Sequence, residues 1–153
     1  MKNRLGFFGY RVGILHRLYF MCVKKAMDGK EFPPHLIPFM TELYYGDGIT
    51  QDMLTARVNM DKGTAARAIA RLERKGLVKR AENKLNKRQK LVYLTPKAKK
   101  ESKTFFLPLY KMSRVMSEGL SRQKRKELLK VLGFMTENLQ RELANQKRRR
   151  RRR

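Results

Sequence analysis

The stretch from Ile49 to Thr95 places the tightest limits on what this chain can fold into. Thr50 is a good N-cap for a short helix over 51–57, with Asp52 in its first turn, where a carboxylate meets the positive helix end. Val58-Asn59-Met60 breaks the pattern. Asp61 caps a second helix, about 62–75, closed by Gly76 as the C′ residue with Arg74 and Lys75 in its last turn. Along this helix Ala65, Ala68, Ile69 and Leu72 recur at helical spacing on one face. The other face carries Lys62, Gly63, Thr64, Ala66, Arg67, Ala70 and Arg71, small or cationic throughout. Two β-prone runs follow, 77–81 and 91–94, around a polar tip at 82–90 that bears Lys84, Lys87, Arg88 and Lys90.

Helix, turn, helix and basic hairpin in this order predict a winged helix-turn-helix. A helix fits the major groove of B-DNA, and side chains near its N-terminal end meet base edges. The hairpin reaches the flanking backbone or minor groove, where negative potential attracts Arg. Residues 49–95 hold 12 basic and 4 acidic residues, a net +8. A charged helix face is commonly no more than a solvated one. Here small residues lie between the charges and the hairpin tip is basic, which favours DNA. The candidate DNA-binding residues are Thr50, Lys62, Gly63, Thr64, Ala66, Arg67, Arg71, Lys84, Lys87, Arg88 and Lys90. Arg67 is the long donor in the middle of the face and the candidate base reader. Lys62 and Arg71 lie nearer to phosphate.

The ends of the chain carry a different signal. Residues 4–28 read as one helix, with Leu5, Phe8, Val12, Leu15, Tyr19, Cys22 and Ala26 in a stripe of period near 3.5. Phe7, Ile14, Leu18 and Met21 form a second stripe beside it. Gly29 ends this helix, and Pro33-Pro34 open another that reaches Tyr45, stopped by Gly46-Asp47-Gly48. Past the module, Thr95 and Pro96 start a helix with Phe105, Leu109, Met112 and Met116 on one face. Pro108 within it is expected to bend or interrupt it. Ser121 begins a last helix with Leu128, Leu132, Met135, Leu139 and Leu143 aligned. These outer helices hold more apolar surface than the central module can cover, and a homodimer built from both ends is the natural outlet. The fold class is thus mainly α with a small β-hairpin wing, a winged helix-turn-helix core between N- and C-terminal dimerisation helices. The segments are 1–30, 31–95, 96–147 and a tail, 148–153, of six arginines expected to be disordered.

The net charge of +25, from 38 Lys plus Arg against 13 Asp plus Glu, calls for a polyanionic partner. No apolar run approaches the ~18 residues of a membrane span. Arg11 and Arg17 interrupt the apolar start, so it does not read as a signal peptide. The single Cys22 forms no intramolecular disulfide, in keeping with a reducing cytoplasm. His16 and His35 have no Cys partner at ligand spacing, and no nucleophile elbow, phosphate loop or dinucleotide fingerprint occurs. These features predict neither an enzyme nor a resident cofactor or metal.

Through Asp61-Lys62-Gly63-Thr64-Ala65-Ala66-Arg67, Arg71-Leu72-Glu73-Arg74-Lys75-Gly76-Leu77-Val78, Lys87-Arg88 and Val92-Tyr93-Leu94-Thr95, the chain resembles the MarR family of bacterial and archaeal transcriptional regulators. The resemblance extends over residues 1–147. It implies a homodimer on a pseudo-palindromic duplex, acting as a repressor. It also implies a small aromatic effector between the dimer helices and the winged module, with His16, Tyr19 and Tyr44 as its pocket. Some members use a peroxide-sensing thiol. Cys22 lies in an apolar stripe, and core packing is the reading preferred for it. Two positions depart from the family pattern. Asn86 stands where the wing usually has the Asp of Asp-x-Arg, and Gly63 and Ala66 replace larger or hydroxylated residues. Fewer hydrogen bonds to bases follow, so an architectural, weakly selective nucleic-acid-binding protein is the alternative.

Overall fold

The computed structural model describes residues 7–151. They belong to two compact units, Met1–Met112 and Ser113–Arg153. In the first, α1 runs Phe8–Ala26. The expected helix start at 4–6, with Leu5, lies outside the described residues. Gly29 follows α1 at φ +70°, a conformation that side-chain-bearing residues resist. A 3-10 turn, Pro34–Leu36, leads into α2, Ile37–Tyr45. Then come β1 (Ile49–Thr50), α3 (Gln51–Arg57), α4 (Lys62–Arg74), β2 (Val78–Glu82) and β3 (Lys90–Leu94). After α5 (Pro96–Lys100) and α6 (Ser102–Met116), α7 spans Arg122–Arg151. No described helix is long and apolar enough to cross a membrane.

Local chemistry accounts for the helix starts. Thr50 Oγ1 accepts from the Met53 N–H at 3.1 Å, Asp61 Oδ1 from Thr64 N–H at 2.8 Å, and Thr95 Oγ1 from Ala98 N–H at 3.2 Å. Between α3 and α4 the chain turns at Asn59, φ +52°, a left-handed position that Asn tolerates better than most residues. Ala65, Ala68, Ile69 and Leu72 bury one face of α4 in a core shared with Leu54 of α3, Phe39, Met40 and Leu43 of α2, and Val92 of β3. Each fully buried Leu or Ile in it is worth ~1.5–3 kcal/mol relative to exposure. Phe105 of α6 closes this core, its ring 5.1 Å from that of Phe32 and 4.9 Å from that of Tyr44.

The hairpin belongs to a three-stranded antiparallel sheet in the order β1-β3-β2, with Ile49 opposite Val92 and Val78 opposite Leu94. Gly48 makes the edge strand possible. Its φ is +76°, and a Cβ there would stand 2.8 Å from Tyr93 Cε1. Next to it, Asp47 Oδ2 accepts from the Leu94 N–H at 3.0 Å and pairs with Lys99 Nζ at 3.1 Å.

Several sequence expectations need correction. Pro108 does not interrupt its helix; it is buried inside α6, and the break comes earlier, at Glu101. There the Ala98 carbonyl accepts the Tyr44 hydroxyl at 2.6 Å and the Glu101 N–H at 3.1 Å, which ends α5 tightly. α7 runs into the arginine run as far as Arg151. Arg is a good helix former, and cations suit the negative helix end. Arg152 and Arg153 lie outside the described residues. Cys22 is exposed and not core-packed; of its stripe on α1, Phe8, Val12 and Leu15 are exposed too, while Tyr19 is half-buried against the core. Leu128, Leu132, Leu139 and Leu143 of α7 are exposed as well.

Candidate nucleic-acid interface

The buried face of α4 dictates what its other face presents. With Ala65, Ala68, Ile69 and Leu72 turned inward, Lys62, Gly63, Arg67, Arg71 and Arg74 are exposed, and Thr64, Ala66 and Ala70 are half-buried. Lys62 Nζ lies 2.9 Å from Asp52 Oδ1 of α3, so the first cation of the helix starts out paired. Arg67 Nη2 donates to Thr64 Oγ1 at 3.0 Å, which folds the guanidinium toward the helix start. Thr50, also a candidate, has its hydroxyl oxygen committed to the α3 cap. Asp61 keeps its carboxyl below the ordinary range, first through the Thr64 N–H and hydroxyl that bond it and then through the Arg67 charge.

The wing tip is built from two Asx turns. Asn83 Oδ1 accepts from the Leu85 N–H at 3.0 Å, and Asn86 Oδ1 from the Arg88 N–H at 3.2 Å. Asn86, where an acid is usual, thus shapes the backbone beneath Arg88. Lys84, Lys87, Arg88 and Lys90 are all exposed, and Lys90 opens β3 opposite Glu82. The base of the wing is tied to α4 by Arg80, whose Nε donates to Glu73 Oε2 at 3.0 Å. That bond holds Glu73 below the usual carboxyl range and pushes Arg80 up. Sequence reasoning missed this pair, although Glu73 and the alternation of β2 were both visible.

Beside α4 lies a cleft of about 860 Å³ that brings Thr64, Arg67, Arg71, Arg74 and Arg80 together with His35 and Phe39. Burial, and then the charge of Arg71, hold the His35 imidazole below its ordinary pKa. His35 and Arg80 are therefore additions to the candidate surface. A second, apolar cleft of about 490 Å³ is lined by Phe106, Leu107 and Tyr110 of α6. The expected effector residues line neither cleft. His16 is exposed on α1 and stacks on Phe20, Tyr19 is half-buried against the core, and Tyr44 gives its hydroxyl to Ala98. Burial, with the Glu101 carboxylate, pushes the Tyr44 phenol up to about 12. Among the described residues no His, Cys, Asp or Glu cluster could hold a metal ion.

Comparison with known proteins adds a family context. The model of the MarR family matches residues 38–90, the stretch from the second residue of α2 through α3, α4, β2 and the wing tip to the first residue of β3. A crystal structure of a MarR transcriptional regulator from Methanosarcina mazei Go1 superposes with a TM-score of 0.81 at 30% identity, over 86% of this chain and 95% of that one. The PcaV regulator of Streptomyces coelicolor, solved in complex with its natural ligand, shares the fold with a TM-score of 0.78 at 18% identity, over 90% and 96% of the two chains. The uncharacterized HTH-type transcriptional regulator YdgJ of Bacillus subtilis is 29% identical over 103 residues, which span 67% of this chain and 63% of YdgJ.

Proposed function

The chain belongs to the MarR family of transcriptional regulators, and from that premise we propose that it binds a pseudo-palindromic DNA duplex as a homodimer and represses transcription there. In this reading α4 enters the major groove, where Arg67 meets a base edge and Lys62 and Arg71 meet phosphate. The wing follows the flanking minor groove through Lys84, Lys87, Arg88 and Lys90. One observation carries the proposal: α4 buries its apolar face completely and leaves Lys62, Arg67, Arg71 and Arg74 exposed, while the acid of this helix, Glu73, is taken up by Arg80. Homodimerisation is supported by the exposed apolar stripes of α1 and α7. A small aromatic effector forms a separate part of the proposal, set against His16 and Tyr19, since the Tyr44 hydroxyl is already engaged.

The test is selection of bound sequences from a random duplex pool at moderate salt. Enrichment of an inverted repeat supports the regulator. The alternative, an architectural protein that coats nucleic acid, draws its support from the net charge of +25 and the few donors around Gly63 and Ala66. It predicts binding without enrichment, and with a steep salt dependence of about 0.9 log units per log unit of salt for each phosphate neutralised.

A further inference from the structure

We infer that Gly63 and Thr64 are specificity-determining residues: together they fix the direction of the Arg67 guanidinium, and through it the base that α4 reads. This rests on the DNA-reading role proposed above. Thr64 Oγ1 accepts one Arg67 N–H at 3.0 Å. A Cβ placed on Gly63 would stand 3.3 Å from Asp61 Oδ1, tighter than most such contacts, and 3.4 Å from Arg67 Nη1, at the inner edge of ordinary contact. The guanidinium therefore lies back over the first turn of α4, in a notch left by the side chain that Gly63 lacks. The Asp61 carboxylate borders the same notch, fixed in turn by the Thr64 N–H at 2.8 Å.

Backbone geometry does not explain a glycine here. The positive-φ glycines among the described residues are Gly29, Gly48, Gly76 and Gly119; Gly63 is in ordinary helix. Glycine within a helix is inferior to alanine because it loses more conformational freedom on folding. What the position supplies is space, and the group using that space is Arg67. A guanidinium offers five N–H donors, and the Thr64 bond engages one of them. Enough remain for a bidentate contact to a guanine edge, from a side chain that the Thr64 bond already directs.

The full chain tests this in a random-duplex selection, with titrations on the selected site for Gly63→Ala, Thr64→Val and Arg67→Ala. Gly63→Ala and Thr64→Val should each reduce discrimination by about tenfold at the half-site position that Arg67→Ala relaxes, leaving other positions unchanged. In an Arg67→Ala background neither should reduce it further, the non-additivity expected of groups acting through one side chain. Gly63→Ala should melt at or above the wild-type temperature, so the change in preference cannot be assigned to unfolding. Unchanged preference in both variants overturns the inference. So does an equal loss of affinity on every duplex that persists without Arg67, which would make Gly63 a point of close backbone approach. If the wild type itself enriches no sequence, the DNA-reading proposal falls and this inference falls with it.

Discussion

The middle of the chain and its ends dispose of apolar side chains in opposite ways. On α4 the whole apolar face is buried; Ile69 and Leu72 are 0% exposed. On α7 Leu128, Leu132, Leu139 and Leu143 are between 41% and 66% exposed, and Phe8, Val12 and Leu15 of α1 fare similarly. Helical spacing is equally good in both places. Periodicity states that a face exists; it does not state where the partner of that face lies. The central module finds its partner within the chain, because α2, α3 and the sheet close over α4. The stripes of α1 and α7 find no full cover in one copy, and a second copy is the cover proposed for them.

The largest effect expected from this contrast is on stability. Leu72→Ala leaves a void in a closed core and should cost about 2–5 kcal/mol in urea denaturation. Leu139→Ala, at a position 66% exposed in the single chain, should leave the unfolding midpoint of isolated monomer nearly unchanged. Equal losses at both sites would erase the distinction between middle and ends. Next in size, Leu132→Asp combined with Leu139→Asp should weaken the dimer at least about 100-fold, since each carboxylate would be buried without a partner. Sedimentation should then show monomers at micromolar concentration with helix content intact. A persistent dimer would place the interface away from α7.

The same contrast explains what could be read from the amino-acid sequence. The caps at Thr50, Asp61 and Thr95 were legible because capping links residues three apart, and the boundaries of α3 and α4 followed to within a residue. The two-residue β1 was not, since its only support is pairing with β3 across some 40 residues of chain. Pro108 was visible and misleading. The stop at Glu101 depends on Tyr44 reaching Ala98, a contact that no local pattern announces. In the candidate site, the cationic face of α4 was legible from the buried one. The partners that restrain its cations, Asp52 for Lys62 and Thr64 for Arg67, became visible only with the helices in place. Glu73 and Arg80 are seven residues apart, on different elements, and belong to the same class.

A smaller effect separates the wing from the helix it leans on. Because Arg80 holds Glu73 below its ordinary range, the unfolded chain binds more protons than the folded one in acid. The stability from this pair is complete above the ordinary Glu value and is lost as pH falls through the folded value. The two side chains are 30% and 37% exposed, so solvent screening keeps the term below about 1 kcal/mol. Glu73→Gln should accordingly lose less stability than the wild type between about pH 6 and about pH 3. Identical acid profiles would show that the wing is anchored by its strand pairing alone.

The smallest effect concerns Lys62, which begins α4 and is held 2.9 Å from Asp52. Both side chains are well exposed, 81% and 59%, so the pair itself is worth little, at most about 1 kcal/mol. A DNA phosphate competes for the same ammonium, and it does so in a field of many other cations. Phosphate should win, but at the cost of leaving a carboxylate beside the DNA backbone. Asp52→Asn removes that carboxylate and frees Lys62 in one step. It should raise affinity about two- to fivefold, equally on the selected site and on random duplex, because phosphates carry no sequence information. The gain should shrink as salt is raised. Lys62→Ala should lower affinity on both duplexes alike, and in that background Asp52→Asn should yield less than it does alone. A gain confined to the selected site would mean that Lys62 reads a base, and would move the boundary between reading and positioning one turn closer to the start of α4.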